Sequence, residues 1–459
     1  MLQSESYIAS LDVGTTTIRC QIINSLTQII GSSQTTVSNK ILKLQVQLLY
    51  PKPGFVEINN EQLWEQILRV IKDAISDAQL TAKDIKCFGI STQRATFTTW
   101  RRDTGVPFHN FITWKDIRAK ELCKELNSSL LMKIFRSTAY SLYLITRKDR
   151  FLTGSRMKIA SNHVSGRLLW VIHNIPEIKE ALDEDNVMFG TLETWLLYKF
   201  TNGRLHVSDI SNASATGFFD PFVAEWSSWS KHFLGVPHEI LPQVVANDFN
   251  FGSTAENIFG VSIPIRCVMA DQSSSMIASS CFACDDIKVT LGTGAFLDVN
   301  TADKIHTSVT GIYPVIGETD SFQGFITEPS ETSRIASSIE DSDGVYFIPA
   351  FSGLGPPIND ILAGSGFMGI KPTTTKNHLV RSVLEGIIFR ITLAYQTLKK
   401  ERKRDYMKII VDGGVSKNDF LCQMLADLIG ICVERLASSE MSVLGVGFLA
   451  GISMGRYNR

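Results

Sequence analysis

Three glycine turns in this sequence follow strand-like runs and could hold phosphate. The first, Asp12-Val13-Gly14-Thr15-Thr16-Thr17, packs a carboxylate, a glycine and three hydroxyls into six residues, with Arg19 just beyond. Gly292-Thr293-Gly294 ends a second run, and Asp412-Gly413-Gly414, followed by Asn418, ends a third. Phosphoryl oxygens carry several negative charges, and a backbone brings its N–H groups that close only where glycine leaves room. Asp12 adds a hard oxygen for Mg²⁺, directly or through water, and Arg19 adds a charged donor. Each turn alone is an ordinary hairpin feature. In this order, on strand–turn units that can face each other, they describe a two-sided phosphate clamp of the kind phosphoryl transfer requires.

The elements that must position these turns are legible from apolar spacing. A buried strand is predicted over 7–12 and a returning strand over 18–23, so the first turn is a hairpin tip. Leu63, Ile67, Ile71 and Ile75 recur every fourth residue behind Asn59 and Asn60, which predicts a capped amphipathic helix over 61–79. A strand over 85–91 leads into Thr92-Gln93-Arg94, helical spacing covers 191–200, and 208–219 is a polar connection. The segment 266–271 repeats the strand-ending-in-Asp pattern at Asp271, with Gln272 next, and a strand over 287–291 runs into Gly292. Leu379, Val383, Ile387, Ile391 and Ala394 mark a long core helix, and a strand over 408–411 ends at Asp412. Strands alternating with helices imply an α/β fold. The pattern predicts two related domains, 1–263 and 264–459, with a cleft between them.

Composition narrows the partners. The 459 residues are 44% hydrophobic and 20% charged, and Lys plus Arg at 45 nearly balances Asp plus Glu at 46. No general field draws the chain to nucleic acid or an anionic membrane, so the expected partner is a small molecule. The basic run 399–404 closes a helix-like pattern, where cations suit the terminal carbonyls. Eight scattered cysteines lack the spacing of a disulfide framework and fit a reducing, cytoplasmic setting. Cys281 and Cys284 form a CxxC without a second pair or a nearby histidine, which argues against zinc. The opening residues show no signal segment, and the longest apolar run, 443–454, is too short to span lipid.

Nine segments together resemble the FGGY carbohydrate kinases over nearly the whole chain. They are DVGTTTIR at 12–19, GFVEINNEQLW at 54–64, STQRATF at 91–97, FGTLETWLLYKFTNG at 189–203, SNASATGFFDP at 211–221, ADQSSSM at 270–276, LGTGAF at 291–296, YFIPAFSGLGPP at 346–357 and VDGGVSKNDF at 411–420. The order is that of the glycerol kinases in this family. The resemblance implies two actin-like, ribonuclease-H-like domains that close on ATP, with Mg²⁺ as the metal and a small polyol as acceptor; it also allows a homodimer. It makes Asp271 the catalytic base, gives Arg94, Asp271 and Gln272 the polyol, and gives Asp12 the metal. Gly14, Thr15, Thr16, Thr17, Arg19, Gly292, Thr293, Gly294, Gly414 and Asn418 would contact ATP.

The sequence departs from that pattern in three places. Ala95 stands where glycerol kinases carry a substrate-binding glutamate, and Asn162 stands at the expected position of a substrate tyrosine. After Gly311-Ile312-Tyr313-Pro314 the family has a further strand and a glycine-bearing helix lining the nucleotide site, whereas 317–340 is polar, contains Pro329 and shows no apolar period that could rebuild that helix. These departures keep a second reading open, in which a kinase-shaped protein serves as a binding or regulatory module.

Overall fold

The computed structural model describes residues 6–38, 46–161, 163–292, 295–302, 329–350, 353–360 and 363–455. The chain forms two compact units, the first from Met1–Phe135, Lys158–Ser275 and Ser442–Arg459, the second from Arg136–Met157 and Met276–Met441. The boundary expected at 263 falls one strand too early. The strand Ile265–Ala270 pairs in parallel with Ile85–Thr92, so hydrogen bonding holds it in the first unit's sheet.

That sheet has ten strands: β1 Tyr7–Val13, β2 Thr17–Ile23, β3 Ile29–Ser38, β4 Val46–Leu49, β5 Glu57–Ile58, β6 Ile85–Thr92, β7 Phe97–Arg101, β8 Phe111–Ile112, β9 Val187–Thr191 and β10 Ile265–Ala270. Their spatial order is β10-β6-β1-β2-β3-β4-β5-β8-β7-β9. β1 and β6 are apolar almost throughout because both faces of the sheet are covered at its centre. The predicted helix occupies Asn60–Asp77, and the Asn59 side chain accepts a hydrogen bond from the Gln62 amide at 2.9 Å. Its buried face presents Leu63, Ile67, Val70, Ile71 and Ala74 to the core.

The 208–219 connection is more ordered than its polarity suggests. It contains the short strand Val207–Asp209 and the single-turn helix Ile210–Ser214, which Asp209 caps by accepting from the Ser211 and Asn212 amides. The terminal helix Met441–Ser453 returns to the first unit, where the Ser10 hydroxyl donates to the Val443 carbonyl. Among the described residues no helix is long and apolar enough to cross a membrane.

The second unit is built on β11 Ile287–Leu291, β12 Ala295–Val299, β15 Lys408–Asp412 and β16 Cys432–Arg435, ordered β12-β11-β15-β16. A separate pair joins β13 Tyr346–Ile348 and β14 Gly366–Met368. The long helix predicted from apolar spacing covers Lys376–Arg402 and buries Leu384, Ile388, Ile391, Ala394 and Leu398.

The reading of 317–340 needs correction. Residues 317–328 lie outside the described ones, but Pro329–Ser337 is a helix with Ile335 and Ala336 buried. Proline suits a first helical turn, where no intrahelical donor is needed. The helix binds its neighbours mainly through hydroxyls and carbonyls: Asn418 Nδ2 donates to Thr332 Oγ1 at 2.9 Å, the Phe420 amide to Ser333 Oγ at 3.1 Å, and Arg381 Nη1 to the Ala336 carbonyl at 3.0 Å. A segment anchored by polar groups shows little apolar period, which is why the spacing rule passed over it.

Candidate active site

In the first unit, β1 and β10 flank β6 and both end in carboxylates on the same side of the sheet. Asp12 lies opposite Arg19 across the β1–β2 hairpin and opposite Ser91 on β6. Asp271 follows β10 and opens the helix Asp271–Ala278, its Oδ1 accepting from the Gln272 amide at 2.7 Å. The two carboxylates feel each other. Burial, then the Asp271 charge, pushes Asp12 up to about 7, with the Ser91 hydroxyl and the Arg19 guanidinium pulling the other way. Among the described residues Asp12 Oδ1 is buried with no hydrogen-bond partner. Arg19, lowered by burial and raised in part by Asp12, donates from Nε and Nη2 to Gln34 Oε1 at 3.0 and 2.6 Å.

The first turn is braced from beneath. The Gly14 amide donates to the Thr17 carbonyl at 3.0 Å, and the Gln93 amide to the Val13 carbonyl at 2.9 Å. Thr15 spends its hydroxyl inside the protein, donating to Gln93 Oε1 at 3.1 Å and accepting from Trp114 Nε1 at 2.8 Å. Of the two threonines that follow, the Thr16 carbonyl accepts from the Val37 amide at 2.7 Å, and Thr17 opens β2 opposite Thr36. The Gly14 amide and the Thr15 hydroxyl are therefore both engaged within the protein.

Gln93, Trp114 and Arg167 were not singled out from sequence. Their partners lie far along the chain, 78 residues apart for Gln93 and Thr15 and 99 for Trp114 and Thr15. Arg94 and Ala95 follow Gln93, and Ala95 adopts φ 56°, a left-handed conformation that costs a non-glycine residue about 1–2 kcal/mol. A fully buried Arg167 holds this loop, donating from Nη2 to the Ala95 carbonyl at 2.8 Å and from Nη1 to the Thr113 carbonyl. Its guanidinium also sits 5.6 Å from the Phe97 ring centroid. Residues 54–57 and 113–119 close the same region: Asp116 Oδ2 accepts from the Val56 amide at 2.7 Å, and Arg118 Nη2 bridges Glu57 and Asp116, each at 2.7 Å. The expected tyrosine position, Asn162, lies outside the described residues.

A second buried pair of carboxylates, Glu193 and Asp209, anchors the strand that delivers Asp271. Glu193 Oε1 accepts from Thr194 Oγ1 at 3.0 Å and Ser208 Oγ at 2.7 Å. Burial and the neighbouring Asp209 raise Glu193 to about 7, and burial raises Asp209 as well. Asp209 Oδ1 accepts from Asn247 Nδ2 at 2.9 Å, Asn247 Nδ2 also reaches the Val268 carbonyl at 2.9 Å, and Ser211 Oγ accepts from the Ala270 amide at 2.8 Å. The SNASATGF segment thus grips β10 at the residue before Asp271. From the other side, Ser442 Oγ donates to the Asp271 carbonyl at 3.1 Å. Gln272 is buried beside it.

In the second unit the structure describes the Asp412-Gly413-Gly414 turn and only the first residue of the other expected turn. Gly292 lies at the end of β11; Thr293 and Gly294 fall outside the described residues. Gly413 sits at φ 88°, and a methyl there would overlap the Leu291 carbonyl oxygen, so the Asp412-Gly413-Gly414 turn rests directly on the end of β11. Fully buried Lys288 ties the two together, its Nζ donating to Asp412 Oδ1 at 3.2 Å and to the Thr290 hydroxyl. A lysine in the middle of a strand gave no sequence signal for this role. Gly414 opens the short helix Gly414–Lys417, and Asn418 caps Asp419–Ile429 by accepting from the Leu421 amide at 3.1 Å. The Asn418 side chain is buried in that duty and in its bond to Thr332.

The chain is similar to known proteins along nearly its whole length. The N-terminal domain model of the FGGY family of carbohydrate kinases matches residues 7–278, and its C-terminal domain model matches 323–454. Glycerol kinase 5 from Danio rerio is 44% identical over 98% of this chain and 88% of its own, and glycerol kinase 5 from Homo sapiens is 44% identical over 98% and 87%. Among solved structures, a Plasmodium falciparum glycerol kinase with ADP superposes with a TM-score of 0.80 at 27% identity, covering 99% of this chain and 90% of that one. A sheet ending in two carboxylates, glycine turns in both units and matches to both the N- and C-terminal domain models of one family lead to a single assignment: the chain belongs to the FGGY family of carbohydrate kinases.

Proposed function

We propose that this protein is an ATP-dependent phosphotransferase with an alcohol acceptor, passing the γ-phosphoryl group of ATP to glycerol or a glycerol-like polyol to give glycerol 3-phosphate or its analogue and ADP. The observation that carries the reading is the pairing of Asp12 and Asp271, close enough for one charge to raise the other's proton affinity. Such pairs cluster where charge is to be managed during a reaction. Asp271 is the base: held at the head of its helix, it takes the proton of the attacking hydroxyl as that oxygen meets the phosphorus. Arg94 and Gln272 orient the polyol, and the braced Gly14 turn presents amides to phosphate oxygens. In the second unit, Gly292 at the end of β11 and the turn at Gly414 suit the nucleotide.

The donor set fits Mg²⁺. Asp12 offers a buried oxygen with no other partner among the described residues, and no group of three or more potential ligands is found among them. Mg²⁺ is typically held by one or two carboxylates together with substrate phosphates, so this site suits an ion that arrives with the nucleotide. When bound, the ion neutralises charge on the phosphate oxygens.

The intact carboxylate pair favours catalysis over a purely binding role. Ala95 still removes the glutamate that would accept a polyol hydrogen bond, so the preferred acceptor differs from glycerol or glycerol binds weakly. The free thiols of the chain accord with the reducing cytosol as its place of action. The reading is tested with purified protein, ATP, Mg²⁺ and a panel of glycerol, dihydroxyacetone and pentuloses, followed by mass spectrometry of the products. A phosphorylated polyol supports it; ATP consumption without any phosphorylated member of the panel contradicts it.

A further inference from the structure

The helix Leu130–Thr146 breaks the usual division between a buried apolar stripe and a solvated polar face. Met132 and Ala139 face inward, and Phe135 meets the Trp229 ring at 6.3 Å. The opposite side is also apolar. At 3.6 residues per turn, Leu130, Leu131, Ile134, Leu144 and Ile145 fall within an arc of about 140°, and all five are exposed, Leu130 by 73% and Ile145 by 79%. Between them stand Ser137, Thr138 and Ser141, which are uncharged. Exposed apolar side chains scattered singly are ordinary, whereas two clusters on one face of a helix, Leu130, Leu131 and Ile134 at one end and Leu144 and Ile145 at the other, mark an interaction surface.

What surrounds these clusters identifies their partner. From 130 to 158 the chain carries Lys133, Arg136, Arg147, Lys148, Arg150, Arg156 and Lys158 against the single acid Asp149, in a protein whose net charge is −1. All of these cations except Arg136 are exposed, and Arg136 Nε reaches the Met157 carbonyl at 2.8 Å. Overall neutrality conceals this local excess. Exposed apolar side chains on one helix face, with cations on the helix and in the segment that follows it, fit a helix lying in the plane of an anionic lipid surface, its apolar side chains at the acyl boundary and its cations among the headgroups. A second copy of the chain fits less well, because a two-fold interface would bring two copies of this basic segment together. The helix is not long and apolar enough to cross the bilayer.

We propose that Leu130–Thr146, with the basic segment that follows, docks this protein on membrane surfaces that carry anionic phospholipid. The test uses the full chain with vesicles of phosphatidylcholine alone and vesicles containing roughly 30% phosphatidylserine, a level chosen to give the negative surface potential of a cytoplasmic leaflet. Co-sedimentation is expected with the anionic vesicles only, weakening as salt is raised. It should fall at least tenfold in Ile134→Asp/Ile145→Asp and in Arg147→Glu/Lys148→Glu, while melting temperature and phosphotransfer stay at wild-type values. Failure of the wild type to bind anionic vesicles overturns the proposal, as does binding that both double variants retain. A dimer that Ile134→Asp/Ile145→Asp dissociates, without vesicle capture of the wild type, would assign these clusters to a second copy instead.

Discussion

At the scale of single residues, chemistry divides two pairs of carboxylates into different tasks. In the proposed function Asp12 and Asp271 face the reacting groups, whereas Glu193 and Asp209 hold the strand that delivers Asp271. Glu193, raised from an ordinary 4.5 to about 7 by burial and by Asp209, favours the proton in the folded state. Its contribution to stability is therefore complete below about 4.5 and is lost as pH rises through 7. Glu193→Gln keeps the acceptor oxygen for Thr194 and Ser208 while removing the titration. Melting curves from pH 5 to 8 should show wild type losing ground to this variant as pH rises; parallel curves would contradict the assignment. Ala95 supports a second expectation: Ala95→Glu should lower KM for glycerol by roughly tenfold or more, since a charge-assisted hydrogen bond is worth about 1.5–3 kcal/mol, and an unchanged KM in steady-state kinetics would show that the acceptor lies elsewhere. The placing of Asp12 and Asp271 at strand ends, and the turns at Gly14 and Gly413, were legible in the sequence because their types and spacing are local. Gln93, Trp114, Arg167 and Lys288 were not, because each acquires its role from partners brought close only by folding.

At the scale of elements, the site depends on turns that rest on neighbouring backbone. Gly413 is the clearest case, combining φ 88° with direct contact to the Leu291 carbonyl. Gly413→Ala should destabilise the second unit by about 1–3 kcal/mol, and thermal shift should show reduced stabilisation by ATP; a wild-type shift would mean that the turn tolerates a side chain. Elements announced by regular apolar spacing were read correctly, among them Asn60–Asp77 and Lys376–Arg402. Pro329–Ser337 was missed because hydroxyls and carbonyls, rather than an apolar stripe, fix most of its contacts. Short pieces such as Ile210–Ser214 are set by a cap and by β10, and neither shows in a polar run of sequence.

At the scale of the whole molecule, the chain's path links the helix Met441–Ser453 to the strand that leads into Asp271. A methyl on Gly445 would overlap the Ser274 carbonyl within the first unit, three residues from Asp271. Gly445→Ala should therefore lower kcat and melting temperature together, although position 445 touches no substrate; a loss of neither would sever that link. The α/β class and the family fold were legible in the order of motifs. The domain boundary was not, because a strand's sequence does not reveal its partner, and β10 pairs with β6 of the first unit. The central claim is that Asp271 removes the acceptor's proton during phosphoryl transfer. Its most direct test is single-turnover transfer by Asp271→Asn, with ATP binding followed in parallel by thermal shift. The account predicts nucleotide stabilisation near that of wild type and a transfer rate lower by about 10²–10⁴-fold; transfer at the wild-type rate would contradict it.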